Sequence, residues 1–178
     1  DGDTAQKLVA GVRAGGGIWT EEDLRRYEVV ERKPLVTWFR DNRIISAPLP
    51  SAGGVTLAEM FHQLEIIGYR PGRGAASVHD VVEAWRRAYR DRAAYLGDPD
   101  FVNVPIDLLL SRSHAEQLAA SITPDHATPS ASLPQASAVT EGPHTTHFSI
   151  LDAQGNRVSA TMSVNLPFGS GYMAPGTG

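Results

Sequence analysis

The chain has 178 residues, of which 42% are hydrophobic, enough for a packed core in one domain or in part of a larger one. A net charge of −4, with both signs mixed along the chain, does not favour binding to nucleic acid or to an anionic membrane. The absence of cysteine excludes disulfides, thiol catalysis and zinc–thiolate sites.

The first part of the chain predicts helices and strands in alternation. Apolar residues at helical spacing, stopped by Gly15-Gly16-Gly17, indicate a first helix, and Thr20 with Asp23 has the spacing of a capping box for a second. A stretch rich in Val, Thr, Trp and Phe then predicts two strands. In chain order, the predicted elements are helices over 3–13 and 20–26, strands over 28–40 and 44–47 with a turn at 41–43, a loop over 48–54 and a helix over 55–67.

The longest predicted helix follows and ends near Leu96, before Gly97-Asp98-Pro99. Ser77 with Asp80 has the spacing of a capping box at its start. Two short helices are predicted over 106–110 and 113–122, and the Pro-, Ser- and Thr-rich residues 123–144 predict a flexible linker. The predicted apolar side of the long helix holds Val78, Val81, Val82, Trp85, Ala88, Tyr89 and Arg92.

After the linker, alternating residues predict a hairpin with strands over 145–152 and 157–165. A three-residue loop ending in glycine is a common hairpin form, because glycine adopts the left-handed conformation. If Ala153-Gln154-Gly155 is that loop, Thr145 lies opposite Ser163; a two-residue loop would change this register. In the first register a polar face holds Thr145, His147, Ser149, Ser159, Thr161 and Ser163, and a core face holds Phe148, Ile150, Val158, Ala160, Met162 and Val164.

The hydroxyl of Thr145 is a candidate nucleophile. A threonine hydroxyl needs a base, and no Asp–His pairing in this stretch supplies a convincing one. The α-amine of an N-terminal residue has a pKa of about 8 and can accept the proton. Cleavage between His144 and Thr145 would produce that amine. On the pattern alone, the alternative that Thr145 and Ser163 are ordinary solvent-facing strand residues stays open.

Motifs along the whole chain resemble, in the same order, those of gamma-glutamyltransferases. Large-subunit motifs are GIWTEEDLRRY (17–27), PLPSAGG (48–54), EAWRRAYRDR (83–92) and LGDPDF (96–101), and small-subunit motifs are TTHFSILD (145–152), GN (155–156), SVN (163–165), FGSG (168–171) and PGTG (175–178). The resemblance implies an α+β protein, the four-layer αββα sandwich of the N-terminal-nucleophile hydrolases, only partly covered by this chain. Residues 1–144 would belong to the large subunit and 145–178 would begin the small subunit.

The resemblance also implies roles for individual residues. The precursor would cut itself at His144–Thr145, leaving Thr145 as the nucleophile and its freed amine as the base. Ser163 stands where the family usually has a second threonine, which holds the amine. Asn165 matches the asparagine that helps bind the γ-glutamyl group. His144 departs from the polar amides expected before the cut, which would alter the rate of maturation.

The implied reaction is γ-glutamyl transfer and hydrolysis, with glutathione or another γ-glutamyl compound as donor and an amino acid, peptide or water as acceptor. Ser51, Gly53 and Gly54 would form a pocket wall, the rest of both subunits would be partners, and the location would be periplasmic or extracellular. No metal or cofactor is implied, and no pair among the six histidines has a strong metal-binding spacing. Alternatives are a cephalosporin or glutaryl acylase of the same family and a processing-dead homologue that only binds. Because other parts of the pocket fall outside the chain, we expect this fragment alone to be inactive.

Overall fold

The computed structural model describes residues 2–133, 145–163 and 169–177. The chain forms two compact units, Asp1–Val30 with Thr140–Gly178, and Glu31–Val139. Helices and strands are both present, as the α+β class requires, and none of the helices in the described ranges is long and apolar enough to cross a bilayer. In chain order the elements are α1 (Asp3–Ala14), α2 (Glu21–Arg25), β1 (Leu35–Phe39), β2 (Asn42–Ser46), α3 (Gly53–Ile66), α4 (Ala75–Tyr95), α5 (Ile106–Leu109), α6 (Arg112–Ala120), a 3₁₀ turn (Ser130–Ser132), β3 (Thr145–Leu151) and β4 (Arg157–Ser163).

In the first unit, α1 and α2 lie where the sequence predicts them. The capping box is confirmed, because Thr20 N donates to Asp23 Oδ2 (2.7 Å) and Asp23 N donates to Thr20 Oγ1 (3.2 Å). The C-terminal coil lies on α1, since the Tyr172 hydroxyl donates to Gly11 O (2.8 Å). Gly11 is required there, because a Cβ would come within 2.6 Å of Ala174 Cβ.

In the second unit, β1 and β2 form an antiparallel hairpin in which β1 is shorter than predicted and β2 begins two residues before its predicted start. Phe39 pairs with Asn42, so the turn is Arg40-Asp41 and not 41–43. Residues 28–34, predicted as strand, are irregular. Pro34 directly precedes β1 and has no N–H to donate to a ladder, which accounts for the late start of the strand.

The core of the second unit lies mainly between α3 and α4, with β1, α5 and α6 packed around α3. Helix α3 begins at Gly53, two residues before the predicted start. Helix α4 is the longest element, as predicted. Two clusters of buried apolar residues lie in this core, one of Met60, Leu64, Ala84 and Ala88 and one of Leu49, Val55 and Leu109.

The predicted cap of α4 is wrong. The helix begins at Ala75, and Ser77 and Asp80 both lie inside it. Ser77 Oγ donates to Arg70 O (2.8 Å), and Asp80 pairs with Arg73. These two side chains hold the preceding loop and leave the first N–H groups of the helix uncapped by side chains.

The predicted apolar side of α4 is largely exposed, which is a second correction. Val78 is 62% exposed and Trp85 is 46% exposed. The buried side instead includes Glu83, Arg87 and Asp91. Charged side chains that pair with one another can be buried, and a pattern of apolar residues does not detect them.

The start of the predicted linker is held against α4 by hydrogen bonds. Arg86 Nη1 donates to Thr128 O (2.7 Å), and Arg87 Nη2 donates to Thr128 Oγ1 (3.0 Å). Thr128 N donates in turn to Glu83 Oε1 (3.3 Å). Residues 134–144 of the predicted linker lie outside the described residues.

Candidate functional site

The loop of the β3–β4 hairpin has the predicted geometry. Asp152 N donates to Asn156 O (3.1 Å), and Gly155 has a φ of +85°, in the left-handed region that favours glycine. Asp152 Oδ1 accepts from the backbone N of Gln154 (3.0 Å) and of Asn156 (2.8 Å). The Asp152 carboxylate therefore closes the turn. Hydrogen bonds from the Asn156 side chain and backbone also lower the pKa of Asp152, because they stabilise its ionised form.

The observed register confirms the predicted pairing of the strands. Thr145 pairs with Ser163, His147 with Thr161 and Ser149 with Ser159. The backbone therefore brings the two proposed hydroxyl residues, Thr145 and Ser163, to directly opposed positions at the open end of the hairpin. The other two predicted residues of this region, His144 and Asn165, lie outside the described residues.

His147 organises the hydroxyls of this polar face. Its Nδ1 lies 2.8 Å from Thr161 Oγ1, and its Nε2 lies 3.1 Å from Ser159 Oγ and 3.3 Å from Ser149 Oγ. His147 lies on the predicted polar face and is exposed. A neutral imidazole can donate from one nitrogen and accept at the other, so His147 can connect hydroxyls on both strands.

The opposite face of the hairpin was predicted to be core, but it is exposed in the described residues. Phe148 is 39% exposed, Ile150 54%, Val158 50% and Met162 63%. Alternation placed these residues on one face correctly, but their burial requires a layer that the described part of the chain does not put over them.

The predicted pocket-wall residues lie at the start of α3. Gly54 is packed tightly, because a Cβ there would meet Ala47 O at 2.7 Å and Leu35 Cδ2 at 3.0 Å. Gly53 is open, with Ser51 Oγ 4.0 Å from a Cβ at that position. Gly54 therefore has a packing role that is independent of any substrate, whereas Gly53 has free space beside it.

Sequence reasoning missed a buried ionic network around α4. Arg87 donates to Glu83 Oε2 (2.7 Å) and to Ser121 O (2.7 Å). Burial alone would raise the pKa of Glu83, but hydrogen bonds from Thr128, Arg87 and Arg86 lower it to about 2.

A second buried group, which the sequence also did not indicate, joins three helices. Glu59 of α3, Asp91 of α4 and His114 of α6 each place a ligand-type atom within 4.8 Å of the others. In the part of the chain that the structure describes, these three residues form one group of side chains whose spacing could hold a metal ion. The three residues are far apart in sequence, so no short spacing motif could have found them.

The whole chain, residues 1–178, matches the family model described as gamma-glutamyltranspeptidase. The chain belongs to this family. A curated member, the glutathione hydrolase proenzyme of Pseudomonas sp. (strain A14), is 43% identical over 182 residues, which cover 99% of this chain and 31% of that protein. The chain thus spans about a third of the length of the curated relatives it matches.

Solved structures of gamma-glutamyltranspeptidases and of a related acylase share the fold. The Helicobacter pylori gamma-glutamyltranspeptidase aligns with a TM-score of 0.68 at 39% identity, over 74% of this chain and 38% of that one. The cephalosporin acylase of Bacillus halodurans aligns with a TM-score of 0.75 at 25% identity, over 98% of this chain and 30% of that one. Both likenesses support a fold shared with these proteins, which contains helices and strands.

Proposed function

We propose that the full-length protein transfers and hydrolyses γ-glutamyl groups, with Thr145 as its nucleophile. The observation that carries the proposal is the hairpin register, which pairs Thr145 with Ser163 at the first position of β3. Family membership supports it, and so does the name of the Pseudomonas relative, a glutathione hydrolase proenzyme. The substrate is then glutathione or another γ-glutamyl amide.

Maturation begins with hydrolysis of the His144–Thr145 peptide bond. The amide nitrogen of Thr145 becomes a free α-amine with a pKa of about 8, which is partly unprotonated at neutral pH. Residues up to His144 then end a large subunit and Thr145 begins a small one, and the two subunits together complete the four-layer αββα sandwich. The family resemblance alone supports a periplasmic or extracellular location.

In the proposed reaction, Thr145 Oγ attacks the γ-carbonyl carbon of the donor while the α-amine takes the hydroxyl proton. The carbon–nitrogen bond of the donor breaks, and the α-amine returns the proton to the leaving amino group. Water or an acceptor amine then attacks the threonyl ester and releases Thr145. Ser163 holds the α-amine and Asn165 binds the glutamyl group. Oxyanion donors come from other parts of the full-length protein.

A second candidate function is acylase activity on β-lactam side chains. It is favoured by the likeness to the cephalosporin acylase, which extends over 98% of this chain. Parallel assays of the full-length protein with a γ-glutamyl chromogenic amide and with glutaryl-cephalosporin separate the two. Turnover of the γ-glutamyl amide supports the first candidate, and turnover of the cephalosporin alone supports the second.

The nucleophile is tested by intact-mass spectrometry and turnover of three variants. Thr145→Ala abolishes both cleavage and turnover, whereas Thr145→Ser keeps a hydroxyl and retains measurable cleavage. Thr146→Ala is the matched control, because Thr146 pairs with Met162 and so belongs to the other face of the hairpin. Turnover retained by Thr145→Ala would refute the mechanism. A wild-type protein that stays uncut after long incubation would favour a homologue that only binds.

A further inference from the structure

Three helices of the second unit meet at a buried group of two carboxylates and one imidazole. Glu59 is 1% exposed and Asp91 is 0% exposed, and the His114 side chain is 12% exposed. Their ligand-type atoms lie within 4.8 Å of one another. Two carboxylates at this depth are costly unless a positive charge or a proton compensates them.

Glu59 is the uncompensated member of the group. Both of its carboxylate oxygens are buried and accept no hydrogen bond from the residues that the structure describes. Its Oε1 faces His114 Nε2 at 3.8 Å, which is too long for a hydrogen bond. Burial, together with the charge of Asp91, raises the pKa of Glu59 to about 9, and Arg90 only partly opposes this.

The other two members, Asp91 and His114, already face each other. Arg90 donates from Nε (2.9 Å) and from Nη2 (2.5 Å) to Asp91 Oδ1 and so fixes that carboxylate from one side. The second oxygen, Oδ2, is left on the side of His114, whose Nε2 lies 2.6 Å away. An outer residue that orients a carboxylate while its other oxygen stays in the cluster is a common arrangement behind metal ligands.

We propose that Glu59, Asp91 and His114 form a binding site for a divalent cation that joins α3, α4 and α6. A mixed set of carboxylate oxygen and imidazole nitrogen suits Zn²⁺, and Mn²⁺ accepts the same oxygen donors. On binding, Nε2 of His114 loses its proton to solvent while Nδ1 carries one, so the ring is neutral and its Nε2 lone pair faces the ion. Glu59 also releases its proton to solvent, and its carboxylate and Asp91 Oδ2 complete the set of three ligands. Tetrahedral ligand bonds of about 2.0–2.2 Å hold the ligand atoms roughly 3.3–3.6 Å apart. Binding therefore requires His114 Nε2 and Asp91 Oδ2 to separate from 2.6 Å and Glu59 Oε1 to approach from 3.8 Å, and side-chain rotation supplies both movements. The cation contributes to the stability of the helices and has no part in the proposed acyl transfer.

The competing way to neutralise Glu59 is a proton. The two possibilities differ in the behaviour of Glu59→Gln, which keeps the shape of the side chain and removes the anionic ligand. If a cation binds, this variant loses metal-dependent stabilisation. If a proton is held, the variant resembles the native neutral acid, and the wild-type protein shows no response to metal.

The test uses full-length protein purified without chelator. Elemental analysis is expected to find Zn²⁺ or Mn²⁺ in stoichiometric amount, and removal by chelator lowers the melting temperature. Adding ZnCl₂ or MnCl₂ back, at about a hundredfold excess over Kd, raises the melting temperature by at least ~2 °C. Glu59→Gln abolishes the rise, and His114→Gln serves as a second variant in case the first folds poorly.

Glu116→Gln is the matched control, because Glu116 lies on the same helix as His114 with half of its side chain exposed and pairs with Arg112 at the surface. Glu116→Gln is expected to keep the full metal-dependent rise in melting temperature. The proposal is overturned if wild-type protein contains no metal and its melting temperature does not respond to either ion. It is equally overturned if Glu59→Gln and His114→Gln both retain the rise, since the ion then binds elsewhere. Neither result bears on the role of Thr145 or on the proposed acyl transfer, which are tested separately.

Discussion

Arg87 and Glu83, one turn apart on α4, form an ion pair that is sealed from solvent. Arg87 Nη1 lies 2.7 Å from Glu83 Oε2, and the two side chains are 0% and 1% exposed. The remaining donors of Arg87 go to Ser121 and Thr128, so the pair also fixes the segment that follows α6. A planar guanidinium with several donors can make these bonds at once, and an ammonium cannot.

We expect Arg87→Met to destabilise the protein by about 3 kcal/mol, because Glu83 then stays buried with one cation removed. Urea unfolding of the full-length protein measures the loss. Arg112→Met is the control, since the Arg112 side chain is 81% exposed and its pair with Glu116 lies at the surface. That change should alter stability by less than about 0.5 kcal/mol. Equal losses of stability in Arg87→Met and Arg112→Met would show that the buried pair stabilises the protein no more than the exposed pair does.

The same carboxylate makes stability depend on pH in the acid range. The pKa of Glu83 is lowered from its ordinary value of 4.5 to about 2, so the folded state prefers the ionised form. Its contribution is therefore complete above pH 4.5 and is lost as the pH falls toward 2. The full contribution is on the order of 3 kcal/mol. Wild type should exceed Glu83→Gln in stability at neutral pH, and the gap should narrow by about pH 3. Glu116→Gln, at an exposed site, should show no such narrowing.

The hairpin could be predicted from sequence because short-range chemistry determines it. Gly155 supplies the left-handed residue and Asp152 closes the turn, and both lie within the loop itself. Once the loop length is known, alternation determines which residues oppose each other, including Thr145 and Ser163. The same alternation did not reveal that the apolar face is exposed, because burial depends on layers that are distant in sequence.

The buried side of α4 could not be predicted for the same physical reason. Glu83 and Arg87 are buried because their partners come from Ser121 and Thr128, more than thirty residues along the chain. A pattern that assigns apolar residues to the core therefore chose Val78 and Trp85, which are exposed. The group around Glu59 was missed likewise, since its members come from three separate helices.

Two adjacent glycines at the start of α3 have different surroundings, so substitutions at the two positions distinguish a packing role from a role in substrate binding. Gly54→Ala should cost about 1–3 kcal/mol, because the new Cβ would crowd Ala47 O and Leu35 Cδ2. In Gly53→Ala the new Cβ would lie 4.0 Å from Ser51 Oγ, which is an ordinary contact. The stability of the protein should therefore be unchanged, or slightly raised because alanine favours a helix more than glycine does. Unfolding curves measure both effects. If Gly53 forms a wall of the pocket, Gly53→Ala raises KM at unchanged stability; an unchanged KM would remove Gly53 from the pocket.

The pairing of Thr145 with Ser163 gives the most direct test of the amine as base. Ser163→Ala removes the hydroxyl proposed to hold the freed amine, and we expect turnover to fall by about 10- to 100-fold, as for the loss of one hydrogen bond to a charged group. Ser163→Thr keeps a hydroxyl and introduces the threonine that the family resemblance implies at this position, so turnover should stay near wild type. Ser159→Ala is the control, because Ser159 lies on the same face but bonds His147 (3.1 Å). Turnover is measured per cleaved molecule, with mass spectrometry counting the chains that begin at Thr145, so that slow maturation is not mistaken for slow chemistry. Equal turnover of Ser163→Ala and Ser159→Ala would show that position 163 does not hold the base.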